Sequence, residues 1–246
     1  MELEFKRKNL PYLKQIVREV LYQEELSEII VPDSLPDVGN IVESFAIPIV
    51  RGKESRNGST TISGGIKGEV IYNPEDLSAP KTLDAYIPFN VKLDHPQLTE
   101  ESRTLCSVQI RSVDCRILNS RKVLLRVNIA CMLLALAHQE EVLFEPQAIP
   151  DDLQVKQVEY ACKIPVEYAE KSFVVSDSLA IPSGSPPIDR VIRTACLLEV
   201  ADSKSIANKG VFKGTVYCKV LYQSIDGQIC SHEQKLPFSQ FCEFAP

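Results

Sequence analysis

Alternation of apolar and polar positions dominates the chain. Ile62, Gly64, Ile66, Gly68, Val70 and Tyr72 fall on every second residue, and Phe212, Gly214, Val216, Cys218, Val220 and Tyr222 do the same. A period of two marks a half-buried strand, because successive side chains leave a strand on opposite faces. Before the first run, Asn57-Gly58 predicts a tight turn that closes a hairpin with Phe45 to Ser55. After a loop from Asn73 to Lys81 comes a strand that ends near Leu93. A second hairpin is predicted about Asn119-Ser120, with Leu105 to Leu118 on one side and Arg121 to Leu136 on the other. In its second arm Val123, Leu125, Val127, Ile129 and Cys131 share one face, while Lys122, Arg126 and Asn128 share the opposite one. From Met132 onward the run reads as buried on both sides. Glycines inside strands, at Gly64, Gly68 and Gly214, point to bulges or close backbone approach.

Three stretches break the alternation. Leu13, Ile16, Val17, Val20 and Leu21 follow a helical stripe with Pro11 at its start, which predicts a short amphipathic helix behind a charged arm of residues 1–9. Ser34, Pro36, Val38, Ile41 and Val42 predict a second short helix, and Ser185, Pro186, Ile188, Val191 and Ile192 a third.

These runs belong to a longer correspondence. Val31-Pro32-Asp33-Ser34-Leu35-Pro36-Asp37-Val38 reappears as Ile181-Pro182-Ser183-Gly184-Ser185-Pro186-Pro187-Ile188, and the match continues at a spacing of 150 positions. Ile41-Val42 falls on Val191-Ile192, Gly64 on Gly214, Val70 on Val220 and Tyr72 on Tyr222; after one deletion Pro88-Phe89 falls on Pro237-Phe238. The expected fold is mainly β: two antiparallel β-sandwich-like modules, each with a short helix, related as an internal repeat. The boundaries are an arm and short helix over 1–22, a first module over 23–145, a linker over 146–154 and a truncated second module over 155–246. A copy that reaches Pro246 without the second hairpin is expected to leave a sheet edge open or to borrow a strand.

Composition narrows the chemistry. The 246 residues suffice for two domains, and a net charge of −6 gives no electrostatic reason to bind nucleic acid or an anionic membrane. Met1 to Lys8 contains no secretory apolar stretch, and no apolar run is long enough to span a bilayer, so synthesis in the cytosol is expected. None of the eight cysteines lies within four residues of another, which excludes zinc-ribbon spacing. Cys131 and Cys218 sit in the apolar phase of strands and read as small buried hydrophobes. Cys230 and Cys242 lie in more polar sequence and are the candidates for disulfides between chains. His95, His138 and His232 lack partners at metal-ligand spacing, and a GxSxG nucleophile motif is absent. Asp33 and Asp37 are replaced by Ser183 and Pro187 in the second copy, which favours turn duty over paired-acid chemistry. No catalytic, cofactor-binding or metal-ligating residue is predicted, and the absence of tryptophan speaks against a glycan platform.

One stretch is more specific. Gln23 to Val42, with Val31-Pro32-Asp33-Ser34-Leu35-Pro36-Asp37-Val38 at its centre, closely resembles the SPOCS domain family of endospore-forming bacteria. Arg51-Gly52-Lys53, Gly64 to Tyr72, Ile87-Pro88-Phe89 and Arg111 to Lys122 resemble it too; in the second copy Pro186-Pro187-Ile188, Gly214 to Tyr222 and Leu236-Pro237-Phe238 do so more weakly. The resemblance implies a non-enzymatic role, through protein–protein contact, in building the spore envelope: made in the mother cell, then held at the spore surface. Some members carry a C-terminal LysM module, and none is evident here. The expected function is a self-associating structural protein of coat or appendage, with Leu3 and Phe5 of the arm docking on an open sheet edge of the next subunit. The alternative is a monomeric or dimeric adaptor that recruits another coat-morphogenesis protein. Partners are therefore expected to be further copies of the chain or other coat proteins.

Overall fold

The computed structural model describes residues 5–147, 154–156 and 158–244. Among the described residues nine strands account for the regular structure: β1 (Phe5–Ile30), β2 (Val38–Arg56), β3 (Ser59–Pro74), β4 (Lys81–Asp94), β5 (Arg103–Asn119), β6 (Lys122–Pro146), β7 (Ile188–Ile206), β8 (Lys209–Ser224) and β9 (Ile229–Glu243). They form three antiparallel sheets, ordered β1-β6-β5, β2-β3-β4 and β7-β8-β9. No helix occurs among the described residues, so none is long and apolar enough to cross a membrane.

The first two sheets face each other. β2 approaches β5 along one side and β1 approaches β4 along the other. Between them Ile62, Ile66, Val70 and Tyr72 of β3 and Ile87 and Phe89 of β4 meet Leu125, Val127, Ile129 and Leu133 of β6, all 4% exposed or less. The predicted alternation is thus realised as the interior of a sandwich. The third sheet differs. Beyond residue 147 only Val216, Val220 and Tyr222 join the buried hydrophobic residues described.

All three predicted helices are corrected. Residues 5–30 form one strand whose register with β6 shifts between Gln15 and Val17. That bulge adds a residue and moves the alternation to the other face. Leu13, Ile16, Val17, Val20 and Leu21 therefore imitate a helical stripe, although Val17 and Leu21 reach the core from strand geometry. Residues 31–37 make a loop, and β2 begins at Val38. Residues 181–187 make a similar loop ahead of β7. The charged arm is not separate either, since Phe5 to Asn9 open β1 opposite Pro146 to Val142 of β6. Leu3 lies outside the described residues, as does most of the expected linker.

Sheets β2-β3-β4 and β7-β8-β9 share their irregularities. The β2–β3 register shifts at Val38/Asn40, Ile41/Glu43 and Val50/Gly52. The β7–β8 register shifts at Ile188/Arg190, Val191/Arg193 and Val200/Asp202, each 150 positions later. A Cβ added at Gly64 would fall on the Ile49 carbonyl oxygen and the Phe89 ring, and one at Gly214 on the Glu199 carbonyl oxygen and the Phe238 ring. Glycine is thus required beside the same bulge in both sheets. Tyr72 donates its hydroxyl hydrogen to the Pro36 carbonyl (2.9 Å), and Tyr222 donates to that of Pro186 (3.3 Å).

Candidate interaction surface

What closes sheet β2-β3-β4 can be read from one residue. Arg121, at the turn between β5 and β6, donates through Nη1 to the Leu35 carbonyl (2.7 Å) and to Asp37 (3.0 Å). Through Nη2 it donates to the carbonyls of Val31 (2.9 Å) and Pro32 (2.8 Å), with Asp33 at 3.4 Å. The fork of a guanidinium suits several acceptors held in one plane. Backbone bonds from Val31 N–H to the Arg121 carbonyl and from Val38 N–H to the Ser120 carbonyl, both 2.9 Å, complete the clasp. Asp37 thus serves this clasp, and Asp33 meets the same guanidinium from a fully exposed position.

Loop 181–187 has the same local hydrogen bond, from Ser185 N–H to the Pro182 carbonyl (3.1 Å), as loop 31–37 has from Leu35 to Pro32 (2.9 Å). Among the described residues no guanidinium takes the place of Arg121 there. The face of β7-β8-β9 that corresponds to the sandwich interior is likewise open. It presents Cys196, Leu198 and Val200 of β7, with Leu198 and Val200 each 50% exposed, and Phe212 of β8. Residues 158–182, which form no regular strand, run over its β9 side. Phe173 packs on Phe238 with ring centroids 5.5 Å apart, Ala180 N–H donates to Gln234 (3.1 Å), and Gln234 donates to the Ser178 carbonyl (3.3 Å). Between this segment and β7–β8 remains a groove of ≈ 260 Å³, lined by Phe173, Leu198, Val200, Phe212 and Phe238 among others.

The same segment touches the first sandwich. The Pro165 carbonyl accepts Leu13 N–H (2.7 Å), and Lys53 pairs with Glu170. Lys53 and the Tyr168 hydroxyl both donate to Glu170, whose carboxyl is held below the ordinary glutamate value first by Lys53, against the opposing pull of burial. A polar cavity of ≈ 470 Å³ adjoins these groups, with Glu100, Arg103 and Glu243 in its wall. No group of three potential metal ligands occurs among the described residues.

A second exposed feature is the far end of β1 and β6. β5 reaches along β6 only as far as Leu136, so β1 and β6 continue as a two-stranded ribbon to Phe5 and Pro146. Its tip exposes Phe5 (52%), Val142 (46%) and Phe144 (58%), with the Arg7 guanidinium 5.8 Å from the Phe144 ring centre.

The cysteines separate by environment. Burial pushes Cys115 and Cys131 up to about 11. Cys230 and Cys242 lie at opposite ends of β9, opposite Tyr222 and Gly210, and are not brought together. The structure also places Cys196 beside Cys218, a contact that sequence reading missed. Cys218 is half-buried beside another thiol, not sealed in a core.

In comparison with known families, residues 187–245 match the model described as SipL, SPOCS domain. That segment contains the third sheet, and the match points to a sporulation-related protein. No curated protein matches the chain. No solved structure matches it either.

Proposed function

We propose, from the SPOCS match at residues 187–245 and the open face above it, that the chain is a structural, self-associating protein of the spore envelope. On this reading it is made in the mother cell and held at the spore surface, in coat or appendage, and sheets β2-β3-β4 and β7-β8-β9 are two copies of one unit. The carrying observation is the apolar face of β7-β8-β9, whose counterpart in β2-β3-β4 is buried under β1-β6-β5. Exposed apolar surface of this kind gains free energy when covered.

The occupant is the β1–β6 ribbon of a second copy. Its tip supplies Phe5, Val142 and Phe144 for the apolar face and Arg7 for the carbonyls of loop 181–187, the two features with which β6 and Arg121 close β2-β3-β4. Ribbon and face are different surfaces, so the contact is head-to-tail and propagates unless its rotation closes a ring. On this reading Phe5 docks on the open face of the next copy, not on a sheet edge, and does so from a paired ribbon in place of a loose arm.

Light scattering behind size exclusion, under reducing conditions, tests this. The wild-type chain should elute as large species, while Leu198→Glu and Phe144→Glu should each return to 27.5 kDa. Mixed, these two variants should form a one-to-one dimer, because one keeps its ribbon and the other its face. A sharp wild-type peak at 27.5 kDa would refute self-association and leave an adaptor that waits for a different protein.

A further inference from the structure

Cys196 and Cys218 stand directly opposite each other on β7 and β8, with sulfur atoms 3.4 Å apart. Opposed residues of an antiparallel pair have Cα separations of about 4.5 or 5.5 Å, within the span a disulfide bridges. The corresponding pair in β2-β3-β4 is Ala46 and Gly68. A Cβ added at Gly68 would strike the Leu125 side chain, so β6 fills that position. In the third sheet the same position holds two thiols, and Cys196 is exposed. Two register features make the pairing. The bulge at Val200/Asp202 places Cys218 opposite Cys196, and β7 is an edge strand, which leaves Cys196 open to reagents.

We propose that Cys196 and Cys218 are an oxidation site, at which a low-molecular-weight disulfide forms an intramolecular cross-strand bond that staples β7 to β8. The Cys196 thiolate attacks one sulfur of the reagent, forming a mixed disulfide and releasing one small thiolate. The Cys218 thiolate then attacks the Cys196 sulfur and releases the second. Two protein thiols lose two protons and two electrons, and the reagent leaves as two thiols. Cys196 attacks first because it is exposed, while its hydrogen bond with Cys218 holds the latter's thiol above its ordinary value. The staple lies on the face read above as the assembly surface but forms within one chain, so it does not depend on self-association.

The test is titration of the reduced full-length protein with oxidised glutathione, followed by non-reducing digestion and mass spectrometry. The expected result is a Cys196–Cys218 linkage formed at roughly one tenth of the reagent needed to modify Cys230 or Cys242, with the chain at its single-chain mass on a denaturing gel. Cys196→Ser should abolish the linkage, and Cys162→Ser should leave it unchanged. A persistent glutathione adduct on Cys196 with Cys218 still free would overturn the proposal. So would linkage of either residue to another chain. Repeating the titration on Phe144→Glu separates the two readings: if that variant is monomeric and still forms the linkage, the staple stands whatever becomes of the assembly.

Discussion

Sheets β2-β3-β4 and β7-β8-β9 have the same strand order, the same three bulges and the same tyrosine bond to a proline carbonyl, yet one is sealed and the other is open. The difference lies in what stands over them. In the first, β6 lays Leu125, Val127 and Ile129 on the interior face, and Arg121 clasps the entry loop. In the third, residues 158–182 cover the β9 side and leave Leu198 and Val200 half exposed. Local pattern therefore specifies the three-stranded meander, while burial is set by the layer above it. Free energy should follow burial.

The largest test of this comparison is a matched pair of truncations. Phe89 and Phe238 occupy corresponding places, but Phe89 is 2% exposed and Phe238 is only partly covered by Phe173. Phe89→Ala should cost about 3–5 kcal/mol by leaving a cavity between two packed layers. Phe238→Ala should cost about 1 kcal/mol, because water already reaches its surroundings. Denaturant unfolding measures both, and equal costs would mean that the third sheet is covered as well as the first.

Next in size is the clasp. Arg121→Met keeps the length of the stem and removes the forked donors, leaving the carbonyls of Val31, Pro32 and Leu35 without them. The loss should be about 2–3 kcal/mol, and Arg121→Lys should restore only part of it, since an ammonium cannot fork. Loop 181–187 holds its shape without such a clasp, so Ser185→Ala should change stability by less than about 0.5 kcal/mol. A large effect there would show that the two loops are held alike.

How much of this was legible in the sequence depended on where bulges fall. β3 and β8 announce themselves because their alternation runs unbroken, and the spacing of 150 positions between them is that of the bulges. β1 was misread because the shift at Gln15/Val17 puts apolar residues at helical intervals. The proline loops also read as helix starts, because serine and proline serve turns and caps equally well. The true shape of loop 31–37 rests on a guanidinium from a residue 90 positions away, which no local signal carries. The Cys196–Cys218 contact was hidden for a related reason. Counting back from the turn without the Val200/Asp202 bulge sets Cys196 beside Lys219, and the one-residue correction depends on Gly214.

That dependence is itself testable, with a smaller effect. Gly214→Ala forces a Cβ onto the Glu199 carbonyl oxygen and the Phe238 ring, and relieving the clash disturbs the bulge. Stability should fall by ~1–2 kcal/mol. The sharper readout is chemical: a slip of one residue sends Cys218 to the opposite face, so glutathione should no longer link it to Cys196. If the linkage formed at the wild-type rate in Gly214→Ala, the bulge would not be what sets the register.

The smallest effect concerns the junction between the covering segment and the first sandwich. Glu170 is held below its ordinary value of 4.5, first by the hydrogen bond from Lys53 and also by the Tyr168 hydroxyl. A carboxyl with a depressed folded-state value stabilises the fold fully above its unfolded value and loses that contribution as pH falls through the folded one. The pair is partly exposed, with the Glu170 side chain at 53%, so screening holds the contribution below about 1 kcal/mol. Lys53→Met should lower stability by that amount near neutral pH and converge with wild type once the solution is acidic enough to protonate Glu170 in both. Unfolding midpoints across this range are the measurement. Convergence would assign the contact to charge, and since Glu170 belongs to the segment that partly covers β7-β8-β9, it would show that this thin cover is anchored by the first sandwich. A constant offset at every pH would instead mean that Lys53 matters through the hydrogen bond its ammonium donates to the Thr104 carbonyl at 3.1 Å, which does not titrate with Glu170.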